Sequence, residues 1–68
     1  MQTIYNIGNN IKKYRAKLGL TQEGLVKKSG VKYTTLSKIE SGASKKPTVQ
    51  IIAKIAKALN VSIEDLLK

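Results

Sequence analysis

Cysteine and histidine are both missing from this 68-residue sequence. Without cysteine there is neither a disulfide framework nor thiolate zinc ligation. Without histidine the commonest general base and metal ligand is gone. Acid is scarce as well, at four carboxylates against thirteen Lys and Arg. No nucleophile–base pair can be assembled from this set, so the chain is not expected to be an enzyme. No cofactor and no metal are expected. Tryptophan and phenylalanine are absent, leaving three tyrosines as the only aromatics. Readers of single-stranded RNA usually display stacking aromatics, which places RNA binding behind other readings. No apolar run approaches membrane-spanning length and there is no signal-peptide core, so a cytoplasmic protein is expected.

What remains is basic. The net charge of +9 favours a polyanionic partner, because each phosphate neutralised releases condensed counterions. The plain alternative is a lysine-rich soluble surface. A membrane-surface peptide fits less well, since the apolar residues are spread over several short helical patterns with glycine stops. At this length one domain is expected, spanning 1–68 and close to the lower limit for folding without staples.

Along the chain, residues 1–6 carry no periodic signal. Asn6 is a candidate cap for a first helix in which Ile7, Ile11, Tyr14 and Leu18 recur on one face. Asn9, Lys12, Lys13 and Lys17 take the other face, and Gly19 is a left-handed stop. Thr21 is placed to cap a second helix, although Gly24 stands where a capping box needs Glu and costs about 1 kcal/mol of helix stability. A third helix begins near Lys32 or Tyr33 and stops at Gly42. After a basic loop ending at Pro47, Thr48 caps a fourth helix with Val49, Ile52, Ile55, Ala56 and Leu59 as its buried stripe. Asn60 sits at a left-handed turn. Ser62 caps a last helix, with Glu64 and Asp65 in its first turn, where acid suits the dipole. Leu18, Leu20, Leu25, Val31, Leu36, Ile39, Ile52, Ile55, Leu59 and Leu66 are the expected core.

The stretch TQEGLVKKSGVKYTTLSKIESG, Thr21–Gly42, organises the rest. Leu25 and Val26 mark one apolar segment, Leu36 and Ile39 another, and Ser29-Gly30-Val31 turns the chain between them. Two short helices joined by a tight glycine-containing turn describe a helix-turn-helix, whose second helix can enter a DNA major groove. The motif spans about 21–41.

The anchors Gly19-Leu20-Thr21-Gln22-Glu23, Leu25, Gly30-Val31, Leu36-Ser37, Ile39-Glu40-Ser41-Gly42 and Ile55–Val61 together resemble the lambda-repressor-like helix-turn-helix domain. That is the domain of phage repressors, Cro proteins and xenobiotic-response-element-type regulators. The resemblance covers about residues 7–67. It implies an all-α, compact five-helix domain with the helix-turn-helix formed by helices 2 and 3. Four positions depart from the family pattern: Val26 for a usual Ala, Gly24 for a helix former, Tyr14 for an aliphatic, and Lys32 where Ser or Thr commonly caps the recognition helix.

On a third helix over about 33–41, Leu36 and Ile39 point inward. Tyr33, Thr34, Ser37 and Lys38 then lie on or near the exposed side, with Lys32 just before them. The resemblance implies base-edge contacts at Tyr33, Thr34 and Lys38, with Lys32 and Thr35 near bases or backbone. Lys38 suits guanine acceptors and the Thr34 methyl suits thymine. DNA-backbone contacts are expected at Gln22, Thr21, Ser41, Lys45, Lys46, Arg15 and Ser37, setting register and not sequence choice. Arg15 and Glu40 are expected to form a partly buried ion pair between helices one and three, with Arg15 also within reach of phosphate. Lys12, Lys13, Lys54, Lys57 and Lys68 read as solvated charge. Ile51, Ile63 and Leu67 have two open readings, a dimer patch across a two-fold axis or peripheral core packing.

The function these residues point to is a sequence-specific double-stranded DNA-binding transcriptional regulator. The form expected is a repressor bound as a homodimer to a pseudo-palindromic operator. The alternative is a protein-interaction module of the same fold, such as a toxin's antitoxin partner, with DNA binding secondary or non-specific. No separate effector or oligomerisation domain is expected, because the chain ends within a residue or so of the last helix.

Overall fold

The computed structural model describes residues 6–44 and 47–68, and every regular element among them is a helix. In chain order these are α1 (Ile7–Lys17), α2 (Gln22–Ser29), α3 (Tyr33–Ser41), α4 (Val49–Leu59) and α5 (Ile63–Leu67). The five-helix expectation holds.

Local chemistry accounts for most of the boundaries. The Thr21 hydroxyl accepts from the Gly24 N–H at 2.9 Å, and the Thr48 hydroxyl accepts from the Ile51 N–H at 3.2 Å. At α5 the arrangement is reciprocal: Ser62 Oγ accepts from the Asp65 N–H while Asp65 Oδ2 accepts from the Ser62 N–H. Each such cap contributes about 1 kcal/mol by satisfying donors that the first helical turn leaves unpaired. Helices α2 and α3 stop where Gly30 (φ 77°) and Gly42 (φ 87°) turn left-handed, and α4 stops at Asn60 with φ 61°. A side chain is strained in that region, and Asn tolerates it better than most.

One or two side chains from every helix meet in the centre. Ile11, Leu25, Leu36, Ile39, Ile55 and Leu66 are essentially inaccessible, each contributing roughly 1.5–3 kcal/mol of burial. Helix α1 lies against α3, α4 and α5, while α2 packs on α3 and α4. The result fixes α2 and α3 from behind and leaves their outer faces uncovered. Among the described residues no helix is long and apolar enough to cross a membrane.

Four expectations are corrected. The Asn6 side chain makes no capping bond; its carbonyl instead accepts from the Asn10 N–H at 2.8 Å. Leu18 is 49% exposed: as the C-cap of α1 it lies past the turns that meet the core, and the chain turns left-handed directly after it at Gly19. Val49 is 71% exposed: it is the first residue of α4, ahead of the turns that meet the core. Leu20 is half-buried, packed at the edge of the core and not inside it.

Candidate nucleic-acid interface

Helix α3 has two distinct faces. Leu36, Ile39 and Glu40 are buried, three and four residues apart as a helix requires. Opposite them, Tyr33, Thr34 and Lys38 are exposed, and Lys32 is exposed at the residue before the helix. Thr35 and Ser37 are half-buried on the flanks. The side chains expected at base edges therefore share one accessible strip, with Thr35 and Ser37 at its border. Tyr33, half exposed, leans toward α2, where Glu23, Val26 and Lys27 complete a shallow notch.

Lys32 makes no side-chain cap, as its residue type implies, and no acidic residue occupies the first turn of α3. The amide donors at this helix start are therefore unanswered by side chains, beside a lysine. Both the partial positive end of the dipole and the ammonium favour an anion there.

Behind the strip lies a three-helix clamp. Arg15 Nε donates to Glu40 Oε2 at 2.9 Å and Nη2 donates to Glu40 Oε1 at 3.0 Å. The third arm of the guanidinium, Nη1, donates to the Leu20 carbonyl at 3.0 Å, just ahead of α2. Gln22 Nε2 also donates to Glu40 Oε1, at 2.8 Å. The Glu40 side chain is 3% exposed and that of Arg15 19%, so the pair is largely withdrawn from water. A lysine could not reproduce this: only the planar fork reaches both carboxylate oxygens and a carbonyl at once. The ion pair expected between these two residues is present. The family resemblance implies that Gln22 steadies the recognition helix, and it does so through this bond to Glu40 across eighteen positions.

Several residues expected at the DNA backbone have other engagements. Thr21 is occupied as the α2 cap. Ser41 donates to the Lys38 carbonyl at 3.1 Å and accepts from the Ala43 N–H at 3.4 Å, closing the end of α3. Both remain exposed. Lys45 and Lys46 lie outside the described residues. Ile51, Ile63 and Leu67 are half-buried and pack against the core, so part of each is accessible.

Sequence reasoning missed Asn10, whose Nδ2 donates to the Leu66 carbonyl at 2.8 Å and ties α1 to the end of α5. The signal was there. Asn10 falls between Ile7, Ile11 and Tyr14 on the inward face, where a polar group needs a partner.

Comparison with known proteins agrees with this architecture. Residues 11–66 match the helix-turn-helix family model, and the chain belongs to that family. An uncharacterised HTH-type transcriptional regulator of Methanocaldococcus jannaschii is 47% identical over 58 residues, covering 85% of this chain and 86% of that protein. The HTH-type transcriptional regulator SinR of Bacillus subtilis is 38% identical over 61 residues, covering 90% of this chain. The match spans 55% of SinR, about half its length. The crystal structure of SinR in complex with DNA has a TM-score of 0.88 to this fold at 37% identity, covering 91% of this chain and 98% of that one. The P22 c2 repressor, solved with a synthetic operator, has a TM-score of 0.81 at 30% identity, covering 98% and 97%. The lambda-repressor-like resemblance and the all-α class stand.

Proposed function

We propose that this protein is a sequence-specific double-stranded DNA-binding transcriptional regulator, and not an enzyme. It acts as a repressor that binds a pseudo-palindromic operator as a homodimer. One observation carries the reading: Tyr33, Thr34 and Lys38 share a single exposed strip of α3, while Leu36, Ile39 and the Arg15–Glu40 pair hold that helix from behind. Its relatives' names, and the DNA complexes of SinR and the P22 c2 repressor, support the same assignment.

In this reading α3 enters the major groove. Thr34 offers its methyl to thymine, Lys38 donates to guanine, and Tyr33 packs on thymine methyls or bonds a phosphate. Lys32 and Thr35 work at the border between bases and backbone. Gln22, Thr21, Ser41, Ser37, Arg15 and the Lys45–Lys46 loop set the register against phosphates. Ile51, Ile63 and Leu67 form the contact across the two-fold axis. A regulator of this kind works in the cytoplasm, beside the DNA it reads.

Selection of bound duplexes from random DNA, followed by footprinting, tests the proposal. The selected site should bind at least about a thousandfold more tightly than random sequence at the same salt. Protection should fall on two dyad-related half-sites about 34 Å apart. A ratio near one would leave only charge-driven binding and favour the protein-interaction module. Protection of a single half-site would remove the dimer.

A further inference from the structure

Gln22 divides its amide between the clamp and the surface. An ionised carboxylate only accepts hydrogen bonds, so whatever lies against Glu40 must present a donor. The nitrogen end of the Gln22 amide therefore turns inward, and Nε2 sits 2.8 Å from Glu40 Oε1. That bond uses one of the two amide hydrogens. The second hydrogen and the Oε1 acceptor have no partner among the described side chains and backbone. Among the described residues every buried side-chain nitrogen or oxygen has a partner, so the unpartnered Oε1 of this amide lies in contact with solvent. Gln22 is also the first residue of α2, next to its Thr21 cap, at the positive end of the helix.

We propose that Glu40 is a positioning residue for the DNA backbone: it holds the Gln22 amide in one rotamer and one flip state, so that the free N–H is presented to a phosphate at the start of α2. Arg15 completes the device. By gripping both Glu40 oxygens it holds the carboxylate still, and by gripping the Leu20 carbonyl it holds the residue that leads into α2. A long amide side chain otherwise loses its rotamer freedom only on binding, at a cost of roughly 1 kcal/mol or more. Here much of that ordering is complete before DNA arrives. The inference rests on the reading of α2 and α3 as the DNA-facing helices, but not on sequence selectivity, because a phosphate contact is the same on any duplex.

A double-mutant cycle with a short random-sequence duplex at low salt is the test. The four proteins are the wild type, Gln22→Met, Glu40→Leu and the double variant. Glu40→Leu should weaken binding about three- to tenfold more in the Gln22 background than in the Gln22→Met background. A purely structural role for Glu40 would give the same factor in both and overturn the proposal. So would a Gln22→Met variant that binds as well as the wild type.

Glu40→Leu strands Arg15 and endangers folding, so a second measurement uses the wild type alone. In its NMR spectrum the two Gln22 amide protons should differ sharply, one exchanging slowly with water and the other fast. Adding the duplex should shift the fast proton and leave the slow one in place. Two equally fast protons, or no response to DNA, would overturn the proposal. Failure of the regulator reading would look different: Gln22 would respond as expected while selected and random duplexes bound alike.

Discussion

Two glycines of this chain call for opposite predictions under the same substitution. A Cβ on Gly8 would collide with the Ile39 carbonyl oxygen and lie 3.1 Å from the Glu40 carbonyl oxygen, because α1 crosses the backbone of α3 there. A Cβ on Gly24 meets only the Leu20 side chain and the Thr21 hydroxyl at 3.4 Å, an ordinary contact. Gly8→Ala should therefore destabilise by roughly 1–3 kcal/mol despite alanine's better helix propensity. Gly24→Ala should stabilise by about 0.5–1 kcal/mol. Urea unfolding reads both, and equal signs would contradict the packing described. The sequence exposed the cost of Gly24, since helix propensity is local. It did not expose Gly8, whose reason is Ile39, thirty-one positions away. The exposed strip on α3 was legible for a local reason too, the three-residue spacing of Leu36 and Ile39. In selected-site binding, Thr34→Ala and Lys38→Ala should each alter preference at particular bases by about 1–3 kcal/mol, whereas Lys45→Ala should weaken all sites alike. Uniform loss in all three would remove the readout assignment.

Among the elements, α5 is the one whose existence depends most on a few polar atoms. It has five residues, too few to stand alone, and it is held by Leu66 in the core, the Asn10 bond to the Leu66 carbonyl, and the Ser62–Asp65 box. The Ser62 backbone N–H, then the Ser62 hydroxyl, hold the Asp65 carboxyl below its ordinary range, and Lys68 adds a smaller pull in the same direction. A depressed carboxyl stabilises the folded chain at pH values above its unfolded pKa, and that contribution is lost as pH falls through the lower folded value. The stability due to Asp65 should therefore be complete at neutral pH and fade below about pH 4. Thermal melting of the wild type and Asp65→Asn across that range should show the gap between them closing toward low pH. A gap that stays constant would mean that the carboxylate charge plays no part in the cap. The Ser62 cap, like those of Thr21 and Thr48, could be read from sequence because capping acts over three residues, whereas Asp65 is expected from sequence only to suit the dipole. Leu18 and Val49 could not be placed that way: periodicity predicts a face only where a helix continues and something lies opposite it, and both sit at helix ends.

On the scale of the whole molecule, the scarcity of acid becomes a property of the surface. Of the four carboxylates, Glu40 is buried against Arg15 and Asp65 is engaged in the α5 cap, leaving Glu23 and Glu64 as the exposed ones. Among the described residues the exposed lysines therefore far outnumber the exposed carboxylates, in a chain of net charge +9. Affinity for any duplex should fall steeply with salt, the logarithm of the constant losing about 0.9 per phosphate contacted for each tenfold rise in salt. That term acts on all sequences, so in the proposed function specificity comes from the α3 strip and from doubling the site. The half-buried Ile51, Ile63 and Leu67 allow the doubling to be tested apart from folding. In Ile63→Lys the long stem can still cover the core edge while its ammonium reaches water. Across a two-fold axis, however, each ammonium would face its own copy. The variant should fold and bind an isolated half-site about as well as the wild type, yet lose the extra affinity that the wild type gains from two correctly spaced half-sites. Titrating both proteins onto half-site and full-site duplexes decides the matter. If Ile63→Lys keeps the full-site advantage, the α4–α5 edge is not where two copies meet, and these aliphatics serve only to seal the core.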